Sequence, residues 1–374
     1  MFETSPLAGT GSRLGMGARM AARQGAAEAG RGLQSIAAEI RWSWACRALD
    51  LTAAYEIDER TSSAPASGDL VVARVAEIGA HSRIVTADNK RLRIHAGDVI
   101  VGVFGNRYAT DAFEAEVQGI DNLSLLTGGG MIGTVLSRHR EIGRPTSLEF
   151  LGFVRDARGE RVNLKRRLFQ GAMPRSAARN LIVVVGTSMN SGKTTACTKL
   201  LKGLVDQGLK VAACKLTGSV SNRDQDEMRS AAPAIVTDFS EYGFPSTYLC
   251  EERELVSLFH TMLADVEKTD PDVIVMEIAD GLLQRETALL LREPSVRESI
   301  KGFLLTATSG MCGLYAAELL RGLNCNVIAV SGAMTSSPLA VREFEARCDV
   351  PVGSSAGSGR ELTEIVLQFM GSRQ

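Results

Sequence analysis

The spacing of apolar residues changes twice along this chain, near residue 70 and near residue 180, and each change predicts a different architecture. In "GLQSIAAEIRWSWACRALDLTAAY" (32–55), apolar side chains fall at Leu33, Ile36, Ile40, Trp44, Leu49 and Leu51. That spacing is close to helical and predicts a helix docking through Trp42 and Trp44. Residues 1–30 are rich in Gly, Ala and Ser without a period, and "DERTSSAPASGD" (58–69) has the composition of a linker. Residues 1–67 are expected to form an N-terminal extension, partly disordered or helical.

Beyond residue 68 the period shortens. "LVVARVAEI" (70–78), "SRIVTA" (82–87), "RLRIHA" (91–96) and "DVIVGVFG" (98–105) are β-branched runs divided by "GAH", "DNK" and "GD" turn signals. "FEAEVQG" and "MIGTVLSRH" continue the pattern, so residues 68–172 are expected to be a small all-β domain, a barrel or a sandwich. "LTGGGMIGTV" (126–135) has the glycines of a phosphate loop, but no helical pattern follows it, and it reads as a barrel corner.

From residue 180 strands alternate with helices. "LIVVVG" (181–186) is a continuous apolar run of the kind buried on both faces of a parallel sheet. Cys197, Leu200, Leu201, Leu204 and Val205 share one face of a helix over 194–207, which Gly208 ends. "KVAACKL", "DVIVMEI", "GFLLTA" and "NVIAVSG" read as further buried strands, with helices between several of them, notably 251–268 and 313–322. Residues 173–374 are thus expected to be an α/β three-layer domain around a mainly parallel sheet.

Composition narrows the classes. Against 43 acidic residues stand 42 Lys and Arg, a balance unlike that of a protein built to wrap nucleic acid. Aromatic residues are too few, at 5%, to supply stacking platforms for single strands. The basic run "RVNLKRR" (161–167) is short and reads as a solvated strand end or a linker. Seven scattered cysteines without a CxxC pair suit buried thiols of a reducing compartment, and four scattered histidines give a His/Cys metal site no support. No apolar run reaches the roughly 18 residues a membrane span needs. Residues 1–49 carry six Arg and three acids; that fits a transit leader or a loose tail, and the tail with a cytoplasmic location is the expectation.

The chemistry concentrates in "GTSMNSGKTT" (186–195). A strand runs into a tight turn, and "GKTT" opens a helix whose first turn leaves N–H groups unpaired, an anion site. Gly192 lets backbone approach phosphates, Lys193 brings a charge to the terminal phosphates, and Thr194 places a hydroxyl where Mg²⁺ sits. The usual spacing is G-x₄-G-K-[ST]; here Thr187 holds the first glycine position and Gly186 stands one earlier. Gly186, Thr187, Asn190, Ser191, Gly192, Lys193, Thr194 and Thr195 are the candidate nucleotide-binding residues.

This loop resembles that of dethiobiotin synthetase and its relatives, where G-T-x₄-G-K-T is usual, within a P-loop NTPase group that includes cobyrinic acid amide synthases, nitrogenase iron protein and the adaptor of molybdopterin-guanine dinucleotide synthesis. The resemblance spans about 180–355. It implies a phosphate- or substrate-holding lysine after the second strand, matched by Lys215, although Leu216 stands where dethiobiotin synthetase has Pro. It implies an acid beyond that strand for Mg²⁺, for which Asp224 and Asp226 are candidates, with first-turn helix acids as the plain alternative. Glu277, ending a buried strand, matches the Glu of E-G-x-G-G, but this chain reads E-I-A-D-G, with Ile278 and Asp280 in place of glycines that lie near that family's substrate.

Lys193, Lys215 and Glu277 are the candidate catalytic residues; Thr194, Asp224, Asp226 and Glu277 are the candidate metal ligands. The resemblance implies ATP with Mg²⁺, and "NVIAVSGAMTSSPLAVREFEARCDVPV" (326–352) carries no guanine signature. The expected activity is phosphoryl transfer from ATP to a small-molecule carboxylate or carbamate, of the ligase or kinase type. The alternative is a nucleotide-switched ATPase or adaptor acting on a protein partner through the β domain. A homodimer is expected by analogy, and neither membrane nor nucleic acid as a partner.

Overall fold

Alternation of apolar residues along 70–156 closes a barrel. The computed structural model describes residues 31–32, 40–59, 64–169, 171, 180–355 and 357–371. In chain order the first strands are β1 (Arg31–Gly32), β2 (Ile40–Trp42), β3 (Tyr55–Asp58), β4 (Leu70–Glu77), β5 (Arg83–Val85), β6 (Arg91–Arg93), β7 (Val99–Phe104), β8 (Phe113–Glu116), β9 (Leu123–Leu125), β10 (Met131–Arg138) and β11 (Thr146–Asp156). β4 pairs with β7, β7 with β10, β10 with β9, β9 with β11, and β11 returns to β4. That ring is a closed five-strand barrel, which leaves no open edge within it. β2, β3 and β8 extend it, and β5 and β6 form a separate hairpin. Val71, Ala73, Ile100, Phe104, Ile132 and Phe153 fill one buried cluster, while Leu70, Val72, Val101 and Val103 face a second one with Trp44 and Tyr55.

The helix expected over 32–55 is not found in its described part. Ile40–Trp42 is a strand lying parallel to β7, Trp44–Cys46 is one turn of 3₁₀ helix, and Tyr55–Asp58 pairs with β11. The cause is visible in "IRWSW": Ile40 and Trp44, four apart, are also the ends of an alternating Ile-Arg-Trp-Ser-Trp, which a β surface accommodates. The β domain therefore takes in residues 40–58, which the sequence placed in the extension, while the readings for 1–30 and for Leu33 and Ile36 fall outside the described residues.

After a short helix, α1 (Leu164–Leu168), the chain enters the second sheet. Its strands are β12 (Leu181–Gly186), β13 (Val211–Lys215), β14 (Ile235–Asp238), β15 (Val273–Glu277), β16 (Gly302–Thr306) and β17 (Val327–Ser331), in the spatial order β14-β13-β15-β12-β16-β17. Every pairing is parallel. The helices are α2 (Lys193–Asp206), α3 (Arg223–Ser230), α4 (Glu252–Glu267), α5 (Arg285–Arg292), α6 (Pro294–Ser299), α7 (Gly310–Gly322), α8 (Pro338–Glu345) and α9 (Arg360–Gly371). Leu181, Val183 and Val185 of β12 enter a core cluster with α4, while Ile182 and Val184 enter another with α2 and α9. The sheet is thus covered on both faces, as its unbroken apolar strands require. All five strands that carry site residues end at one edge, the crevice where α/β sheets bind ligands.

Glycine explains how closely the two domains meet. A Cβ at Gly129 would stand 2.5 Å from the Val220 carbonyl oxygen, across the domain junction. The "TGGGM" segment is the expected barrel corner, and its bare backbone receives the loop that follows β13. Arg47 ties the same junction from the barrel side, reaching Ser240 at 2.9 Å and Asp238 at 3.4 Å. No helix among the described residues is long and apolar enough to cross a membrane.

Candidate nucleotide site

β12 delivers Gly186 into a loop that Gly192 closes at φ +96°, at the N-cap of α2. The cap residue offers no side chain to the helix's first N–H groups, which leaves them for an anion. The early glycine has a steric reason. A Cβ on Gly186 would lie 2.2 Å from Ser191 Oγ and 2.7 Å from Thr306 Oγ1, two hydroxyls hydrogen-bonded to each other at 2.8 Å. Gly332, at φ +94°, closes the other flank, where a Cβ would sit 2.3 Å from the Ser191 carbonyl oxygen and Ala333 N–H donates to that same oxygen at 3.0 Å.

Lys193 is buried and folds back over the loop, donating to the carbonyls of Ser188 at 2.8 Å and Asp280 at 2.6 Å. Burial lowers its pKa, against the opposing pull of Glu277 and Asp280. Among the described residues it has no carboxylate within ion-pair distance, so its charge is held by carbonyls alone.

Parallel register then places the acid. Lys215 and Glu277 are Cα partners on β13 and β15, so their side chains share one face, and Lys215 Nζ lies 3.4 Å from Glu277 Oε1. Lys215 also pairs with Asp224 at the start of α3. Burial alone would lower the Lys215 pKa; Glu277 and Asp224 override it and raise it. Because β15 neighbours β12, Glu277 also reaches the loop, accepting from Thr194 Oγ1 at 3.3 Å. Its second oxygen, Oε2, is buried without a hydrogen-bond partner.

That orphaned oxygen and the Thr194 hydroxyl fit a hard divalent cation whose remaining ligands would be phosphate oxygens and water. Among the described residues no group of three or more His, Cys, Asp or Glu is arranged to hold a metal. A cavity of about 320 Å³ opens over these groups, lined by Asn190, Gly192, Lys193, Thr194, Thr195, Arg223, Asp224 and Glu227.

The structure sorts the remaining candidates. Thr187 turns its N–H to the Thr306 carbonyl, and its hydroxyl is buried without a partner. Asn190 donates its side-chain amide to Asp111 of the barrel at 2.9 Å, leaving only its backbone for phosphates. Asp226 is not brought to the site: it accepts from Asn222 at 2.9 Å and from Asn89 and Arg229 at 3.4 Å. Two residues along a helix is about 200° of rotation, so Asp224 and Asp226 cannot both face the loop.

Asp280 belongs to the site. Gly281 carries it close in, since a Cβ there would meet the Thr187 carbonyl at 2.7 Å, and Leu282 N–H donates to the Gly186 carbonyl at 3.1 Å. Asp280 itself takes φ +61°, a conformation that favours glycine. Burial raises its pKa to about 6, with Lys193 and Lys215 pulling it down.

The contact with the barrel was absent from the sequence reading. The Asn106–Ala112 segment lies on the loop: Thr110 N–H points to Met189 Sδ at 3.4 Å, and Asp111 accepts from Asn190. The turn after β5 holds α3 through Asn89, whose side-chain oxygen accepts from Asn222 at 2.8 Å.

Parallel sheet, glycine-bounded loop, lysine and strand-end acid together define a P-loop nucleotide-binding fold beside a β-barrel. No protein-family model and no curated protein matches the sequence. Among solved structures it is similar to the signal recognition particle receptor FtsY from Elizabethkingia anophelis, at 18% identity and a TM-score of 0.36 over 57% of this chain and 76% of that one. A structure of that receptor in complex with GDP gives 17% identity and a TM-score of 0.36 over 55% and 70%. FtsY from Mycoplasma mycoides gives 13% and 0.36 over 55% and 75%. A likeness of this size carries neither partner nor base to this chain.

Proposed function

We propose that this protein binds a Mg²⁺–nucleoside triphosphate at Gly186–Thr195, hydrolyses it, and uses the nucleotide state to set how its β-barrel meets a protein partner. The observation that carries this reading is the barrel's grip on both segments that face the nucleotide. Asp111 and Thr110 hold the tip of the phosphate loop, and Asn89 holds the start of α3, two residues from Asp224. A change in the charge bound by the loop therefore bears directly on barrel contacts. Lys193, Lys215 and the α2 amides would stabilise the phosphates, and Thr194 and Glu277 would hold Mg²⁺. When bound, Mg²⁺ would neutralise charge on the bridging phosphate oxygens. ATP is the nucleotide we propose, because the segment after β17 has no guanine signature.

A second reading is phosphoryl transfer to a small carboxylate or carbamate, of the ligase or kinase type. Asp280 favours it: a half-buried acid beside Lys193 with a pKa near neutrality is suited to take a proton from an acceptor. Turnover by the full chain, with ATP and with GTP, tests both. Mg²⁺-dependent release of inorganic phosphate without an acceptor is expected, falling by at least about 100-fold in Lys193→Ala. Unchanged turnover in that variant would remove the mechanism, and release that requires added carboxylic acids would promote the second reading over the first.

A further inference from the structure

A half-buried cation stands on the barrel side of this junction with no carboxylate within ion-pair distance among the described residues. Arg107 lies in the segment that rests on the phosphate loop, and its main chain is fixed. It exchanges hydrogen bonds with Ala115 at 2.7 and 3.0 Å, and the preceding Asn106 accepts from Val117 N–H at 2.8 Å. The next residue, Tyr108, packs its ring 5.6 Å from that of Tyr248 in the α/β domain. Three and four residues beyond Arg107, Thr110 and Asp111 touch Met189 and Asn190.

The guanidinium group has few partners. It lies 5.7 Å from the Phe113 ring centroid, and its Nη1 is 3.2 Å from His81 Nε2. That second contact is no hydrogen bond. His81 Nε2 stands 2.6 Å from the Leu126 carbonyl oxygen, which demands an N–H on that nitrogen and leaves it no lone pair for Arg107. Among the described residues Arg107 has no carboxylate within ion-pair distance. The acids near enough to act on its charge are Asp111 and Asp280, and the Asp280 carbonyl is one of the two that hold Lys193. Burial lowers the Arg107 pKa to about 10, so the group stays charged at neutral pH. A half-buried, charged fork of donors with no protein acceptor among the described residues is open to an anionic ligand.

We infer that Arg107 is an arginine supplied in cis by the barrel to the terminal phosphoryl group of the bound nucleotide, an inference that rests on the nucleotide reading above. The planar fork matches phosphoryl oxygens, and its charge opposes the negative charge that spreads over them during transfer. In hydrolysis the bond from the γ-phosphorus to the diphosphate oxygen breaks as a bond to a water oxygen forms. The products are nucleoside diphosphate, inorganic phosphate and a proton. Arg107 forms no bond and moves no proton; it is a phosphoryl contact. A diphosphate lacks the group Arg107 holds, so this contact supplies the differential affinity by which the barrel distinguishes the two states.

Equilibrium titrations of the full chain with Mg²⁺ test this. The ligands are ADP, ADP with aluminium fluoride, the β,γ-imido analogue of ATP, and the three guanine counterparts. The proteins are wild type, Arg107→Ala, Arg107→Lys and Lys193→Ala. In Arg107→Ala, diphosphate affinity is expected to stay within about twofold, while affinity for the aluminium fluoride adduct and the triphosphate analogue falls by at least about tenfold. Turnover is expected to fall by about 10³-fold, the scale of an arginine finger. Arg107→Lys, which keeps the charge and tests the case where the alanine variant fails to fold, is expected to recover little, since an ammonium lacks the fork. Equal losses for diphosphate and adduct, or none in either Arg107 variant, would overturn the inference while leaving the nucleotide reading in place. Wild type that binds none of the six ligands, or Lys193→Ala that binds them as well as wild type, would overturn both.

Discussion

Asp280 holds a carboxylate where the backbone asks for glycine and where burial resists its charge. Its φ of +61° costs little for Asp or Asn, but the raised pKa has a stability consequence with a definite sign. A carboxyl group that titrates near 6 in the folded chain and at the ordinary 3.8 in the unfolded chain binds its proton more tightly when folded. Stability from this group is present below about pH 4, is lost as pH rises through about 6, and stays lost above it. Asp280→Asn keeps the backbone and removes the titration. Its stability relative to wild type is therefore expected to rise between pH 5 and pH 8, by no more than about 3 kcal/mol. Urea midpoints of both proteins at the two pH values measure this, and a difference that does not change with pH would refute it. Much of the site's residue chemistry was readable in "GTSMNSGKTT", because a loop that binds through its own backbone is local in sequence. Asp224 against Asp226 was not readable: which face of α3 meets β13 depends on packing. Arg107 gave no signal either, since nothing in "GNRYATDAF" reveals that its neighbours rest on Met189 and Asn190.

Elements follow the same division. The strand-and-helix alternation after residue 180 was legible because strands buried on both faces are unbroken apolar runs, and β12, β13, β15, β16 and β17 all match theirs. β14 was missed: "IVTD" is short, and two of its four residues are only partly buried. β9 and β11 were missed too, the latter carrying Gly152 and charged residues through its length. Residues 32–55 misled because alternation over five residues contains an i, i+4 pair. The corner at Gly128–Gly130 shows why a glycine run that makes no phosphate loop is present. A methyl group on Gly129 would stand 2.5 Å from the Val220 carbonyl oxygen, and Gly129 is not in a left-handed conformation, so the obstacle is purely steric. Gly129→Ala is expected to cost about 1–3 kcal/mol by forcing the barrel corner away from the loop after β13. Urea unfolding would show it, and a midpoint equal to that of wild type would mean the junction yields freely.

At the scale of the whole molecule, the question is whether barrel and nucleotide site form one thermodynamic unit. Three of the contacts bear on this: the Asn106–Ala112 segment on the phosphate loop, Asn89 on α3, and Arg47 on the Asp238–Glu241 turn. The first two engage elements whose geometry a bound triphosphate constrains, and the third holds the end of β14, where Asp238 is the register partner of Lys215. A barrel that grips both the phosphate loop and the start of α3 responds to what those segments bind. Mg²⁺ with the β,γ-imido analogue of ATP is expected to slow amide hydrogen exchange at 106–115 and 86–90 in the barrel, and more so than Mg²⁺–ADP does. Linkage requires the reverse effect at the same strength: Asn89→Ala with Asp111→Ala should lower the ratio of triphosphate to diphosphate affinity. Typical couplings of about 1–3 kcal/mol correspond to a 5- to 150-fold change in that ratio. Protection confined to the loops of residues 180–355, with an unchanged ratio in the double variant, would show that the barrel is a passive neighbour. Slowed exchange in the barrel together with a lowered ratio would show that the two domains share one equilibrium, which a nucleotide switch requires and a self-contained transfer site does not.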